Sequence, residues 1–130
     1  MNQYATVSTT DFPIINVTFT GEPANDENFL LYLREVKNSY DRQSKLAILF
    51  DATKAVFPGM ALQKMQAQWL KDNTAMMQNY CVGTAYVIPN VVIRNVLKAI
   101  FLLQPQPVPY LVCDDKATAL AWAQNQLNTL

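Results

Sequence analysis

The side chains equipped for chemistry are few and scattered. Asp51 closes an apolar run, Asp114 and Asp115 stand side by side ahead of a helical pattern, and the chain holds two cysteines, Cys81 and Cys113. A carboxylate at the carboxyl end of a strand can position a ligand or orient a water, because α/β folds gather their binding sites there. More often such an aspartate accepts backbone N–H groups and shapes the next turn, and that loop-shaping role is expected of Asp51. Adjacent carboxylates at 114–115 could serve a metal or an acid–base pair; at the entry to a helix they read as caps. Neither cysteine has a basic neighbour to lower its pKa, so both read as small buried hydrophobes. The chain contains no histidine, which removes Ser-His-Asp and Cys-His catalysis and histidine-based metal sites. Its three glycines, Gly21, Gly59 and Gly83, stand too far apart for a phosphate-cradling loop. No catalytic residue, metal ligand or cofactor site is expected, and the chain reads as a non-enzyme.

The whole composition points the same way. In 130 residues, 51% are apolar and 15% charged, a balance that folds rather than stays disordered and that fits one domain. Ten basic residues offset ten acidic ones, leaving no net field to hold nucleic acid. The first residues lack the basic start and apolar run of a signal peptide. The most apolar window, 85–103, is broken by Pro89, Asn90, Arg94, Asn95 and Lys98, so a spanning helix is not expected. The expected location is the cytoplasm, at times peripheral to the inner membrane.

Periodicity supplies the elements that must position these groups. Residues 4–9 and 14–20 alternate as a hairpin, with Ile15, Val17 and Phe19 on one face. Asn25 caps a first helix in which Phe29, Leu30, Leu33, Val36 and Tyr40 recur, running to about Asp41. Residues 45–50 and 81–88 are continuous apolar strands, as expected where both faces are covered. Between them one long helix is expected over residues 60–79. Asn90 caps a third helix over 91–103, stopped by the prolines at 105 and 107. A short strand at 110–113 precedes a last helix burying Ala119, Leu120, Trp122, Ala123 and Leu127. The expected fold is an α/β sandwich with a mixed five-stranded sheet: four parallel strands, an antiparallel edge strand and about four helices.

Two helices carry more apolar surface than packing alone demands. The second presents Leu62, Met65, Trp69, Met76 and Tyr80, with Met60 and Met77 nearby, a deformable surface suited to a core or to variable guests. The third is apolar nearly all round, with Val91, Arg94, Lys98 and Leu102 sharing one side and Phe101 flanking it. Apolar side chains around two cations suit a membrane interface, with the long stems reaching the headgroups; a dimer contact explains the same surface.

The run Leu46-Ala47-Ile48-Leu49-Phe50-Asp51-Ala52-Thr53, followed by a loop and an amphipathic helix, resembles the sulfate-transporter and anti-sigma-antagonist (STAS) domain, most closely its SpoIIAA-like branch. The opening Phe12-Pro13-Ile14-Ile15 with Val17-Thr18-Phe19-Thr20-Gly21 is similar to that branch, as are Tyr86-Val87-Ile88-Pro89-Asn90 and Lys98-Ala99-Ile100-Phe101. The branch is similar in fold to CRAL-TRIO domains, which hold apolar ligands under a mobile helix. Where antagonists carry a phosphorylated serine, this chain has Met60 or Ala61, and the resemblance implies a loop-shaping role for Thr53. The resemblance implies a module binding a small hydrophobic molecule or lipid, with Phe57, Met60, Met65, Trp69, Met76, Tyr86 and Phe101 expected at the ligand. Val91, Arg94, Lys98, Phe101 and Leu102 are expected at a membrane surface. The alternative is a regulatory module that docks a partner protein through the loop after Asp51. In either case the chain is expected to be a monomer or weak homodimer, without nucleic acid.

Overall fold

The computed structural model describes residues 2–56 and 58–129. Five strands, β1 (Ala5–Ser8), β2 (Ile14–Phe19), β3 (Leu46–Asp51), β4 (Cys81–Val87) and β5 (Tyr110–Cys113), form one sheet in the order β1-β2-β3-β4-β5. β1 runs antiparallel to β2; β2 to β5 are parallel. The architecture is α/β with a mixed sheet, as the sequence pattern indicates.

Sequential parallel strands dictate where the helices go. Crossovers between parallel strands are right-handed as a rule, so connections that all step the same way along a sheet return over the same face. α1 (Asp26–Asn38), α2 (Met60–Asp72) with α3 (Thr74–Tyr80), and α4 (Val91–Leu103) are those connections, and their buried side chains join one core with Ile15, Val17, Ile48, Phe50 and Tyr86. α5 (Lys116–Asn128) has no strand after it and covers the other face, with Ala119 and Ala123 over Ala47, Leu49, Ala85 and Val87. β3 lies between the two layers and is buried from Leu46 to Phe50.

The two faces are built to different thicknesses. On the α5 side the residues are small, and the helix lies directly on β3 and β4. Gly83 is the closest approach: a Cβ built there would stand 2.6 Å from Cη2 of Trp122. On the other side aromatic rings occupy the sheet surface. α2 and α4 contact each other and meet the strands through side chains of the shared core.

Caps fix the helix starts. Asn25 and Asn28 exchange side-chain-to-backbone hydrogen bonds at 2.8 Å each, a reciprocal box that satisfies two free N–H groups of α1. Asn90 accepts from the N–H of Val92 at 2.8 Å, and Asp115 from that of Thr118 at 2.8 Å.

Several sequence expectations need correction. The single helix over residues 60–79 is two, giving five helices rather than about four. The break falls at Asn73, whose side-chain amide donates to the Trp69 carbonyl at 2.8 Å, while the Thr74 hydroxyl donates to Leu70 at 2.7 Å. Side chains that bond the preceding turn compete with the helix ladder and bend it. The first helix ends at Asn38, short of Asp41. Leu30 and Leu120, counted among buried stripes, are exposed at 49% and 41%. Neither lies on the sheet-facing side of its helix.

Candidate functional site

The second-to-last or last residue of three strands is aromatic: Phe19, Phe50 and Tyr86. Parallel register places Phe50 directly beside Tyr86, and the rings stack with centroids 4.9 Å apart and planes 8° from parallel. Phe19 extends the row, 6.4 Å from Phe50 and near parallel to it. Tyr4 meets Phe19 edge-on at 5.3 Å on one side. On the other, Phe101 from α4 meets Tyr86 edge-on at 6.0 Å, and Tyr110 closes against Phe101 at 5.1 Å. An aromatic ladder therefore crosses the sheet at the carboxyl ends of its parallel strands, where α/β sheets receive ligands.

Above this ladder lies a cavity of about 100 Å³. Its roof includes Trp69 and Leu70 of α2, Met77 of α3 and Ile93, Val96 and Phe101 of α4; α1 supplies Phe29 and Tyr32. Among the described residues no charged side chain lines it. The polar lining includes Tyr40, Gln63, Thr84, Tyr86 and Gln106. Gln63 is committed, donating to the Pro58 carbonyl at 2.9 Å. Gln106 donates its amide to the Tyr86 hydroxyl at 2.7 Å. Burial pushes the Tyr86 phenol well above its usual pKa, only partly offset by Thr84 and Gln106 beside it, so it remains a neutral O–H group. Tyr4 is likewise pushed up to about 12 by burial.

The residues expected at a ligand divide sharply. Trp69, Tyr86 and Phe101 line the cavity. Met65 and Met76 pack against the same core without lining it. Met60 is 60% exposed at the first turn of α2 and faces away. Phe57 lies outside the described residues. The methionine stripe loses its continuity because the helix breaks at Asn73. Met77, in α3, is the methionine that reaches the cavity. The sequence reading missed Phe19, Phe50, Thr84 and Gln106. The signal for the rings was present in the sequence as an aromatic at the end of successive strands, although only register shows that they align.

The expected membrane residues divide as well. Val91 and Leu102 project from α4 at 69% and 87% exposure, joined by Val92 and Leu103, and Lys98 is exposed among them. Two members of that set need correction. Arg94 is not a free cation: its guanidinium pairs with Asp114, and its Nε donates to the Ile88 carbonyl at 2.6 Å. It ties the start of α4 to the end of β5. Phe101 turns inward to Tyr86 and Tyr110, because its helical angle falls with Ile93 and Leu97 rather than with Leu102.

The remaining chemical groups have structural partners. Asp51 accepts from the backbone N–H of Thr53 at 3.1 Å and from its hydroxyl at 2.6 Å, which closes the turn after β3. Asp115 is held below the usual carboxylate range, first by the Thr118 N–H and then by its hydroxyl. Cys81 and Cys113 are both buried and free, and burial pushes Cys81 up to about 11. Among the described residues no three Cys, Asp or Glu side chains gather as a metal site. No helix among them is long and apolar enough to cross a membrane. Compared with known families and curated proteins, the chain matches no family model and no curated sequence.

Proposed function

We propose that this chain is a non-enzymatic module that binds a small hydrophobic ligand, a lipid or acyl chain, over the aromatic ladder. The observation that carries the reading is the uncharged, aromatic-lined cavity at the carboxyl ends of parallel strands, under helices that rest on each other. Pockets for drug-sized ligands run to ~300–1,000 Å³, so a cavity of about 100 Å³ admits only a small part of an acyl chain as it stands. Binding a longer one requires α2 and α4 to lift from the sheet. Tighter ligand affinity for the lifted form drives that shift. The resemblance to the SpoIIAA-like branch, with its CRAL-TRIO-like fold, supports the same reading.

The outer side of α4 offers a route for delivery. Val91, Val92, Leu102 and Leu103 are more than half exposed, with Lys98 beside them. A lipid surface would cover these side chains and leave the ammonium at the headgroups. Association is expected to be reversible, since one lysine adds only about 1 kcal/mol on an anionic leaflet.

Native mass spectrometry of the protein as purified, followed by its denatured mass, tests the binding reading. Extra mass that departs on denaturation is the expected result. An unchanged mass, together with no Trp69 fluorescence response to added 1-octanol, overturns it.

A further inference from the structure

At one end of the cavity three polar groups converge with their hydrogen-bonding capacity incompletely used. Thr84 lies two residues before Tyr86 on the same face of β4, beside Ile48 of β3. It is 1% exposed and lies beside the Tyr86 phenol, yet its hydroxyl makes no hydrogen bond of normal length and angle. The Tyr86 hydroxyl oxygen accepts the Gln106 amide, which leaves its proton to donate. The Gln106 carbonyl oxygen is also buried without a partner. Leaving a buried polar atom unpaired costs stability, and most such atoms in folded proteins are satisfied. Here two unpaired atoms flank one phenol in an uncharged cavity whose remaining polar lining includes Tyr40, Gln63 and Gln66.

Resting on the hydrophobic-ligand reading above, we infer that Thr84, Tyr86 and Gln106 form a head-group site for a neutral ligand that both donates and accepts a hydrogen bond, namely an alcohol or a carboxamide. The Tyr86 or Thr84 hydroxyl donates to the ligand oxygen, and the Gln106 carbonyl accepts the ligand's proton. Reversing the Gln106 amide exchanges the roles and still leaves one donor and one acceptor free. An ionised fatty acid does not fit. It brings a full charge and no proton into a site whose described lining contains no cation, and an unpaired buried charge is far more costly than an unpaired hydroxyl.

The trio has a second consequence, opposite in sign. A hydroxyl kept unpaired in the free protein lowers its stability, whereas the same hydroxyl strengthens ligand binding. Thr84→Val keeps the shape and β-branching and removes only that group. It should raise the unfolding midpoint of the ligand-free protein while weakening alcohol binding. A purely structural threonine does not give that pair of opposite shifts.

The experiment compares 1-octanol with octanoate at pH 8, read by Trp69 fluorescence in a Trp122→Phe background. Trp122 packs on the opposite face against Gly83, so its removal isolates the cavity signal. The expected result is binding of octanol about 100-fold or more tighter than octanoate, from the desolvation of an unpaired carboxylate. Gln106→Leu and Thr84→Val should each weaken octanol about three- to tenfold, with unchanged circular dichroism showing that they fold. Octanoate binding as tightly as octanol overturns the inference and leaves the hydrophobic-ligand reading standing. Octanol affinity unchanged in both variants does the same. Failure of both probes to bind removes the ligand reading and this inference together.

Discussion

Phe50 and Tyr86 lie ring on ring, 4.9 Å apart and 8° from parallel, as direct neighbours across the β3–β4 pair. That stack is both the floor of the cavity and the reason the cavity exists. Rings standing on the sheet hold α2 and α4 at a distance, while Gly83 and Ala85 on the opposite face of β4 let α5 settle against the backbone.

Replacing the floor should therefore cost stability and enlarge the site. Phe50→Ala removes a side chain that is 8% exposed and should destabilise by about 3–5 kcal/mol. Urea unfolding measures the loss. A loss below about 1 kcal/mol would show that the helices collapse into the gap, contrary to an enlarged cavity.

Gly83 makes the opposite prediction, an overpacked contact. Gly83→Ala drives a methyl group towards the Trp122 ring and close to the Pro109 carbonyl, 3.3 Å from the Cβ position. Insertion into a packed layer costs about 1–3 kcal/mol, and Trp122 emission should move to the red as α5 lifts. Unchanged emission and stability would mean that the indole swings aside freely. Trp122→Phe in the same background should recover part of the loss.

On α4, two neighbouring positions should separate packing from membrane contact. Leu102→Asp changes an exposed side chain and should alter stability by no more than about 0.5 kcal/mol. It should weaken sedimentation with anionic liposomes about tenfold, the equivalent of one apolar side chain left unburied. Arg94→Gln should do the reverse. It breaks the Asp114 pair and the bond to Ile88, costing up to about 1 kcal/mol, and should leave liposome binding almost unchanged. Equal liposome binding by wild type and Leu102→Asp would discard the outer face of α4 as a membrane contact.

Stability should be lost on the alkaline side. Burial raises Cys81 from an ordinary 9.0 to about 11 and Tyr4 from 10.0 to about 12. Between each pair of values the unfolded chain has lost a proton that the folded chain keeps. Stability is therefore complete below about pH 9 and falls as pH rises from there towards 12, by about 1.4 kcal/mol per pH unit for each group within its window. Urea midpoints at pH 7, 8.5, 10 and 11 measure the decline. Burial raises the Cys113 thiol as well, so in the double variant Cys81→Ala with Cys113→Ala the onset should move to about pH 10; an onset left at 9 would assign the effect elsewhere.

How far the sequence determines this protein can be judged element by element. The continuous apolar run ending at Asp51 specifies a strand buried on both faces, and Asn25, Asn90 and Asp115 mark helix starts because their short polar side chains satisfy backbone groups next to them in the chain. Those are local effects, and local effects are legible. The break at Asn73 was in principle legible too, but helical periodicity continues across it and hides two side chains bonding the preceding turn. The site itself belongs to the tertiary structure. Phe50 and Tyr86 stack only because parallel register sets β3 and β4 level, and Phe19, two residues beyond the Val17 that pairs with Phe50, joins the row through its ring. Arg94 becomes a tie rather than a surface cation only when β5 delivers Asp114 beside it. The sequence set the strands, the caps and the apolar surplus of α4, since each depends on neighbours within a few residues. Register, the unequal thickness of the two faces and the meeting of Thr84, Tyr86 and Gln106 depend on residues far apart in the chain, and only folding decides them.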